Sequence, residues 1–260
     1  MSGAAVEREK HDGLTILRLC RPEQKNALTQ EIKEALCALV PEFFADPGAR
    51  CLLITGKGDA FCAGGDLRTL AGGSTPEQTR TRMAQSHAWA SHLMTGEKPV
   101  IMAVNGAAAG AGFGLALLGD IILASDSAYF VPGFSAIGVA ADLGVALTLP
   151  RAVGVVRAKD ILLRNRRLSA AEALGIGLVS AIHPGDALMS AAVGIGQQLA
   201  MGPTIGLGLT KTLINRSYDT PLEAFLAAET AAQTLTFASA DCAEGVEAFF
   251  AKRPPRFKGV

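Results

Sequence analysis

A chain of 260 residues in which 24 Lys and Arg balance 24 Asp and Glu has no net charge with which to draw in a nucleic acid or an anionic membrane surface. With 49% hydrophobic and 18% charged residues it is too apolar to be disordered, and the shortage of charge predicts that other subunits cover part of its surface. The cysteines, Cys20, Cys37, Cys51, Cys62 and Cys242, show no C-x-x-C spacing and sit mostly in apolar runs, which predicts reduced core thiols in a cytoplasmic protein.

In chain order, Met1 to Gly13 mixes acids and bases without an apolar stretch, so no secretory signal is expected. Residues 14–20 (LTILRLC) and 51–55 (CLLIT) read as strands. Between them Ile32, Leu36, Leu39 and Phe43 recur at helical spacing behind a cap at Thr29, with Pro41 expected to kink or shorten the helix. Pro99 to Gly119 carries no charge and is long enough to span a bilayer on counting alone. Its β-rich start, its Asn105 and its glycines at 106, 110, 112, 114 and 119 predict instead a strand, a Gly-rich turn and a buried helix that begins near Gly110. Residues 121–124 (IILA) add a strand, and such continuous apolar strands linked by helices predict a sheet buried on both faces.

After about residue 150 helices take over. Ser169-x-x-Glu172 and Asp241-x-x-Glu244 have capping-box spacing, Thr220-Pro221 places proline at a first helical position, Pro203 opens a helix, and Pro254-Pro255 stops the last one. No sequence repeat and no linker is visible, so the α/β core of residues 1–200 and the helical residues 201–260 read as parts of one chain.

Several familiar motifs fail on register. Gly110-x-Gly112-x-x-Leu115 has leucine where a dinucleotide fingerprint needs a third small residue, and no P-loop is present. Gly133-Phe134-Ser135-Ala136-Ile137 ends in isoleucine where a nucleophile elbow needs glycine, and histidines 11, 87, 92 and 183 form no metal-binding pattern, so no metal is expected. Two Gly-rich turns remain, Phe61-Cys62-Ala63-Gly64-Gly65-Asp66-Leu67 and Asn105-Gly106-Ala107-Ala108-Ala109-Gly110-Ala111-Gly112. Small residues there could let backbone N–H groups converge on a ligand oxygen, or could merely let a helix pack on a sheet.

These turns, with Arg21-Pro22-x-x-x-Asn26-Ala27-Leu28, Pro99-Val100, the Gly110–Gly114 turn, Asp120-Ile121, Leu168-Ser169-Ala170, Gly175-x-Gly177-Leu178-Val179 and Phe249-Phe250-Ala251-Lys252-Arg253, occur in an order that resembles the crotonase, or enoyl-CoA hydratase/isomerase, superfamily over nearly the whole chain. The resemblance implies an α/β fold in which a spiral of ββα turns forms two nearly perpendicular sheets, followed by helices that build a homotrimer or a dimer of trimers. It implies an acyl-CoA substrate whose thioester oxygen sits between the backbone N–H groups of Gly65 and Ala111, with coenzyme A entering only as part of the substrate and no separate cofactor. By the same resemblance Lys25, Ala27, Ala63, Gly64, Asp66, Leu67, Lys252 and Arg253 contact CoA or substrate, partly across a subunit boundary, and residues 201–260 serve assembly and CoA contacts.

The resemblance also exposes a departure. The two glutamates with which hydratases of this family activate water correspond to Gly114 and Phe134 here, so both are missing. Asp142 is the lone charge between Asp126 and Arg151, and its apolar neighbours predict a desolvated carboxyl suited to proton transfer, or alternatively the N-cap of a helix from 143. The pattern around it resembles the branch of the family that isomerises ring-1,2-epoxyphenylacetyl-CoA, in which the matching aspartate moves the proton. His87 stands where a dehalogenating branch carries a water-activating histidine, but reads rather as an ordinary helix histidine packed near an apolar edge, while Trp89 reads as core or pocket wall. Alanine-rich stretches at 71–77 and 107–111 suggest room for an acyl chain. The expected function is therefore an enoyl-CoA isomerase working through Asp142. The alternatives are a hydratase with an unusual acid, a hydrolase or dehalogenase with Asp142 as nucleophile, and an acyl-CoA-binding homologue without catalysis.

Overall fold

The computed structural model describes residues 3–68 and 73–260. A hairpin of β1 (Val6–His11) and β2 (Leu14–Leu19) leads through a 3-10 turn at Pro22–Gln24 into α1 (Gln30–Ala45). Then β3 (Cys51–Gly56), β4 (Ala60–Cys62) and α2 (Pro76–Thr95) form one ββα unit, and β5 (Val100–Val104), β6 (Ala107–Ala109) and α3 (Ala111–Ala116) form the next. A third unit runs from β7 (Ile121–Ser125) and β8 (Tyr129–Val131) into α4 (Val145–Val153) and α5 (Val155–Leu163).

Each unit gives its first strand to one sheet and its second to another. Together with β9 (Leu168–Ser169) and β10 (Ala181–His183), this yields a six-stranded sheet in the order β1-β2-β3-β5-β7-β10 and a four-stranded sheet in the order β4-β6-β8-β9. Apart from the β1–β2 hairpin and the β8–β9 pair, the strands run parallel. The architecture thus repeats where the sequence shows no repeat, because the connection pattern recurs while the side chains filling each turn differ.

The larger sheet is buried on both faces, as its unbroken apolar strands predict. Leu52, Ile54, Val100, Met102 and Val104 face the main core with α1, α2 and the smaller sheet, while the alternate residues Cys51, Leu53, Ile101 and Ala103 pack under α7 (Leu188–Ala200). The uncharged Pro99–Gly119 segment resolves into β5, β6 and the buried α3, and among the described residues no helix is long and apolar enough to cross a membrane. The chain ends in α6 (Ala170–Gly175), α7, α8 (Thr204–Arg216), α9 (Leu222–Phe237) and α10 (Ala240–Phe250).

Local expectations fare unevenly. Thr29 caps α1, with its hydroxyl accepting from the Ile32 N–H, and Ser169 with Glu172 forms a complete capping box. The buried stripe of α1 is Ile32, Leu36, Val40 and Phe43, with Val40 in place of the expected Leu39. Pro41 neither shortens nor ends α1, which runs on to Ala45. Asp241 is not a cap. Ser239 caps α10, and the buried Asp241 carboxylate instead accepts from the N–H groups of Lys258 (2.6 Å) and Gly259 (2.8 Å), tying down the C-terminal tail. Pro221 lies just before α9, one position outside the expected one. The last helix ends before Pro254, because Lys252 turns left-handed (φ 52°) and the N–H groups of Lys252 and Arg253 close back on Phe249 and Ala248. All five thiols are free, with Cys37 and Cys242 only half-buried.

Candidate active site

The parallel pairing of β4 with β6 sets the carboxyl ends of both strands side by side, and both Gly-rich turns leave from there. Glycine is required at one point of contact. Gly64 has φ +96°, and a Cβ on it would stand 2.6 Å from the Ala109 carbonyl oxygen and 3.3 Å from the Ala111 nitrogen. The first turn is held from the other side by the loop after β2, in which the Leu28 N–H donates to the Gly64 carbonyl (2.7 Å) and the Ala63 N–H to the Lys25 carbonyl (2.9 Å). That loop is locked by the fully buried Asn26, whose Oδ1 accepts from the Arg21 N–H (2.9 Å) and whose amide donates to the Lys57 (2.9 Å) and Ala60 (2.8 Å) carbonyls. Asn105, just after β5, binds the connection between β3 and β4, accepting from the Gly56 N–H (3.1 Å) and donating to the Gly58 carbonyl (2.9 Å).

Between the two turns lies a cavity of about 100 Å³. Gly65, Asp66, Ala111 and Asp142 line it together with Lys33 of α1 and Arg82 of α2, and Leu28, Met83 and Leu143 supply its apolar wall. Among the described residues, neither the Gly65 nor the Ala111 N–H donates to a backbone carbonyl in the surrounding turns. Ala111 opens α3, where the first N–H groups have no partner within the helix.

Asp142 is held by an unusual backbone. It precedes Leu143 (φ 49°) and Gly144 (φ 76°), two successive left-handed residues, and its carbonyl accepts from the Val145 N–H (3.1 Å). The helix-cap alternative does not hold, since α4 starts at Val145 behind Gly144 and Asp142 makes no side-chain cap. Its Oδ1 is buried and has no hydrogen-bond partner among the described residues. Burial pushes the Asp142 carboxyl above the ordinary carboxylate value, against the opposing pull of His87, Lys33, its own amide and Arg82. Lys33 is shifted the other way: burial, then the neighbouring Arg82, lower its pKa, while Asp142 and Asp66 oppose the shift.

The cavity does not take in every residue named from the sequence. His87 is exposed on α2 and outside the lining, acting on Asp142 only through its charge. Phe134 is buried in the main core, as is Trp89. Asp66 pairs with Arg68 through two hydrogen bonds (2.9 and 3.0 Å), which lowers its pKa. Lys25 and Leu67 are exposed beside the first turn, and Ala27 and Ala63 are half-buried there. Lys252 is exposed at the end of α10, whereas the Arg253 guanidinium pairs with Glu244 (2.6 Å) and Glu247 (3.0 Å). Of the alanine-rich stretches, residues 71–72 lie outside the described residues, and 107–111 form β6 and the start of α3.

The family model described as enoyl-CoA hydratase/isomerase matches residues 9–260. A 1,2-epoxyphenylacetyl-CoA isomerase of Escherichia coli K12 is 40% identical over 95% of this chain and 95% of its own length. A probable enoyl-CoA hydratase of Rhodobacter capsulatus is 36% identical over the full length of both chains. The crystal structure of an enoyl-CoA hydratase from Polaromonas sp. JS666 superposes with a TM-score of 0.93 at 33% identity, covering 97% of this chain and 99% of the other.

Proposed function

This chain belongs to the enoyl-CoA hydratase/isomerase family and has its crotonase fold, and from that premise we propose that it is an isomerase that shifts a double bond in an enoyl-CoA thioester or a related ring substrate. The observation that carries this reading is the convergence of Gly65, Ala111 and Asp142 on one cavity, in which the Asp142 Oδ1 is buried and makes no hydrogen bond among the described residues. The thioester oxygen accepts from the Gly65 and Ala111 N–H groups, which lowers the energy of the enolate formed when a proton leaves the acyl chain. Asp142 takes that proton and returns it two carbons along. Its partial desolvation suits the exchange, since a carboxyl with a raised pKa is a stronger base when ionised and still gives the proton back. Net isomerisation needs one such group, whereas hydration also needs a positioned and activated water.

Lys25, Ala27, Ala63, Gly64, Asp66 and Leu67 would flank the thioester and pantetheine end, and Lys252 would meet the CoA phosphates. Assembly as a trimer or dimer of trimers is supported by the apolar side chains left exposed on the last helices, among them Leu222, Phe237, Phe249 and Phe250. The 1,2-epoxyphenylacetyl-CoA isomerase relative favours an aromatic ring substrate within this class. The test is a panel of 2-enoyl, 3-enoyl and aromatic-ring CoA thioesters assayed in D₂O. Interconversion of 2- and 3-enoyl thioesters with limited deuterium incorporation is expected. Release of free CoA or a covalent aspartyl ester would identify a hydrolase or dehalogenase instead, and thioester binding without turnover would leave a binding protein.

A further inference from the structure

We infer that Asn165, just past the end of α5, is a positioning residue for the second oxyanion donor: its side chain fixes the loop after β8, and that loop aims the Ala111 N–H. The inference rests on the roles proposed above for the Gly65 and Ala111 N–H groups and adds a residue that acts through one of them.

Position 165 has two separable parts. Its backbone closes α5: Asn165 is left-handed (φ 52°), its N–H donates to the Leu162 carbonyl (3.4 Å), and the Arg166 N–H reaches back to the Ile161 carbonyl (2.9 Å). A helix commonly ends in this way on one left-handed residue, and glycine serves there at least as well as asparagine. The side chain does something that the helix end does not need. Its Oδ1 accepts from the Gly133 N–H at 2.7 Å, across 32 positions of sequence. Two residues on, the Arg167 guanidinium stacks 3.6 Å from the centre of the Tyr129 ring, so the turn is fastened at the start of β8 as well as beyond its end.

Gly133 in turn packs on the second Gly-rich turn. A Cβ on it would stand 3.6 Å from the Gly110 nitrogen and 3.7 Å from the Gly110 Cα. The Gly110 N–H donates to the Val131 carbonyl (3.0 Å) on the same loop. Gly110 has φ 53° and ψ −125°, a conformation that glycine adopts readily and other residues do not. Its ψ orients the peptide plane that carries the Ala111 N–H. Without a side chain Gly110 cannot hold that ψ by itself, so the direction of the N–H follows from what packs against Gly110, and Asn165 fixes what packs there. A donor aimed at a developing oxyanion counts for more in the transition state than in the ground state, so loss of the anchor should appear in kcat.

Asn165→Gly and Asn165→Asp test this in the full-length protein, the first keeping the left-handed turn without the acceptor and the second keeping an acceptor. The readouts are kcat and KM with 3-hexenoyl-CoA, and the infrared stretch of the thioester carbonyl in bound hexanoyl-CoA labelled with ¹³C at that carbon, which needs no turnover. In the wild type the bound carbonyl band is expected at lower wavenumber than in the free thioester. Asn165→Gly should return the band toward its free position and lower kcat on the order of 10- to 100-fold, the scale of a misplaced contact to the reacting group, with KM and the denaturant midpoint near those of the wild type. Asn165→Asp should keep the shifted band and most of the turnover. An Asn165→Gly protein with a wild-type band and kcat overturns the inference. So does one that loses affinity and midpoint together with kcat, or an Asn165→Asp protein as impaired as Asn165→Gly. A wild-type band that does not move on binding sinks the oxyanion site and this inference with it, whereas the expected bands in all three proteins without turnover sink the isomerase and keep Asn165 in its role.

Discussion

A Cβ on Gly114 would stand 2.9 Å from the Leu143 Cβ and 3.1 Å from Val145 Cγ2. The segment that carries Asp142 therefore occupies the space into which a side chain at 114 would grow. Glycine at this position and the left-handed Leu143 belong together, because the chain can press onto α3 only where α3 has no side chain. Glycine at 114 is thus a packing requirement of the Asp142 loop, and under the proposed function Asp142 and the glutamate that the family resemblance would put at 114 exclude each other in this backbone.

Reinstating the acid should accordingly fail. Gly114→Glu is expected to lower stability by about 1–3 kcal/mol through overpacking and to displace Leu143. A denaturant melt with lowered midpoint, no gain in hydration of a 2-enoyl-CoA, and lower isomerase turnover is the expected result. A stable variant with new hydratase activity would show that the loop yields.

Asp142→Asn keeps the size of the side chain and removes its capacity to carry a proton. Turnover should fall by on the order of 10²–10⁴ while thioester binding persists. Stability should move the opposite way. Because burial raises the folded-state pKa above the ordinary 3.8, the protonated form is the one the fold favours. Stability is then full below about 3.8 and declines as pH rises through the higher folded value, so the neutral asparagine variant should melt at higher denaturant at pH 8 than the wild type. The wild-type rate should rise with pH through a limb placed above 3.8, and that limb should vanish in the variant.

What the sequence reveals follows how local the cause is. The strands of the larger sheet are legible because both faces are buried and every residue is apolar. The two Gly-rich turns are legible as a glycine pattern and Asp142 as a lone charge, whereas the choice of Gly65 and Ala111 within those turns comes from the family resemblance alone. Lys33 and Arg82 are missed because a charge on a helix reads as solvated, although a signal exists. Lys33 heads the stripe Lys33, Leu36, Cys37, Val40, and Arg82 heads Arg82, Ser86, Trp89, Leu93, so each cation lies at helical spacing in line with buried or half-buried positions. Asp241 is misread for the opposite reason: its partners are the backbone N–H groups of Lys258 and Gly259, and only the returning tail brings them close.

Lys252 separates charge from backbone. It is the left-handed residue that ends α10, a conformation glycine adopts without cost, so Lys252→Gly should stabilise the protein by roughly 0.5–1 kcal/mol. The same substitution removes the proposed phosphate contact and should raise KM for CoA thioesters with kcat unchanged. A stabilised variant with unaltered KM would end the phosphate assignment.

Arg253 should behave differently from its neighbour. It holds Glu244 at a pKa of about 2, against an ordinary 4.5, chiefly through their hydrogen bonds. A depressed carboxyl pKa contributes stability above 4.5 that is lost as pH falls toward 2, so wild type should weaken across that window. Arg253→Ala should flatten the decline and loosen the tail, which hydrogen exchange at Asp241 to Val260 would detect. A variant whose stability falls as steeply with acid as the wild type would show that the pair does not hold the tail.

The paired glycines of the first turn give the sharpest separation of fold from site. Gly64 has φ +96° and its Cβ would meet the Ala109 carbonyl at 2.6 Å, so Gly64→Ala should destabilise the protein by several kcal/mol, at about the level of other core clashes with backbone strain. Gly65 does not have a left-handed φ, and a methyl there meets nothing within 4 Å. Gly65→Ala should therefore fold within about 0.5 kcal/mol of wild type. It keeps its N–H, yet the methyl is added to a residue that lines the cavity of about 100 Å³ to which the proposed function brings the thioester oxygen. Loss of kcat/KM with little change in the melting midpoint is the expected outcome, and a Gly65→Ala protein with full activity would remove that N–H from the oxyanion site.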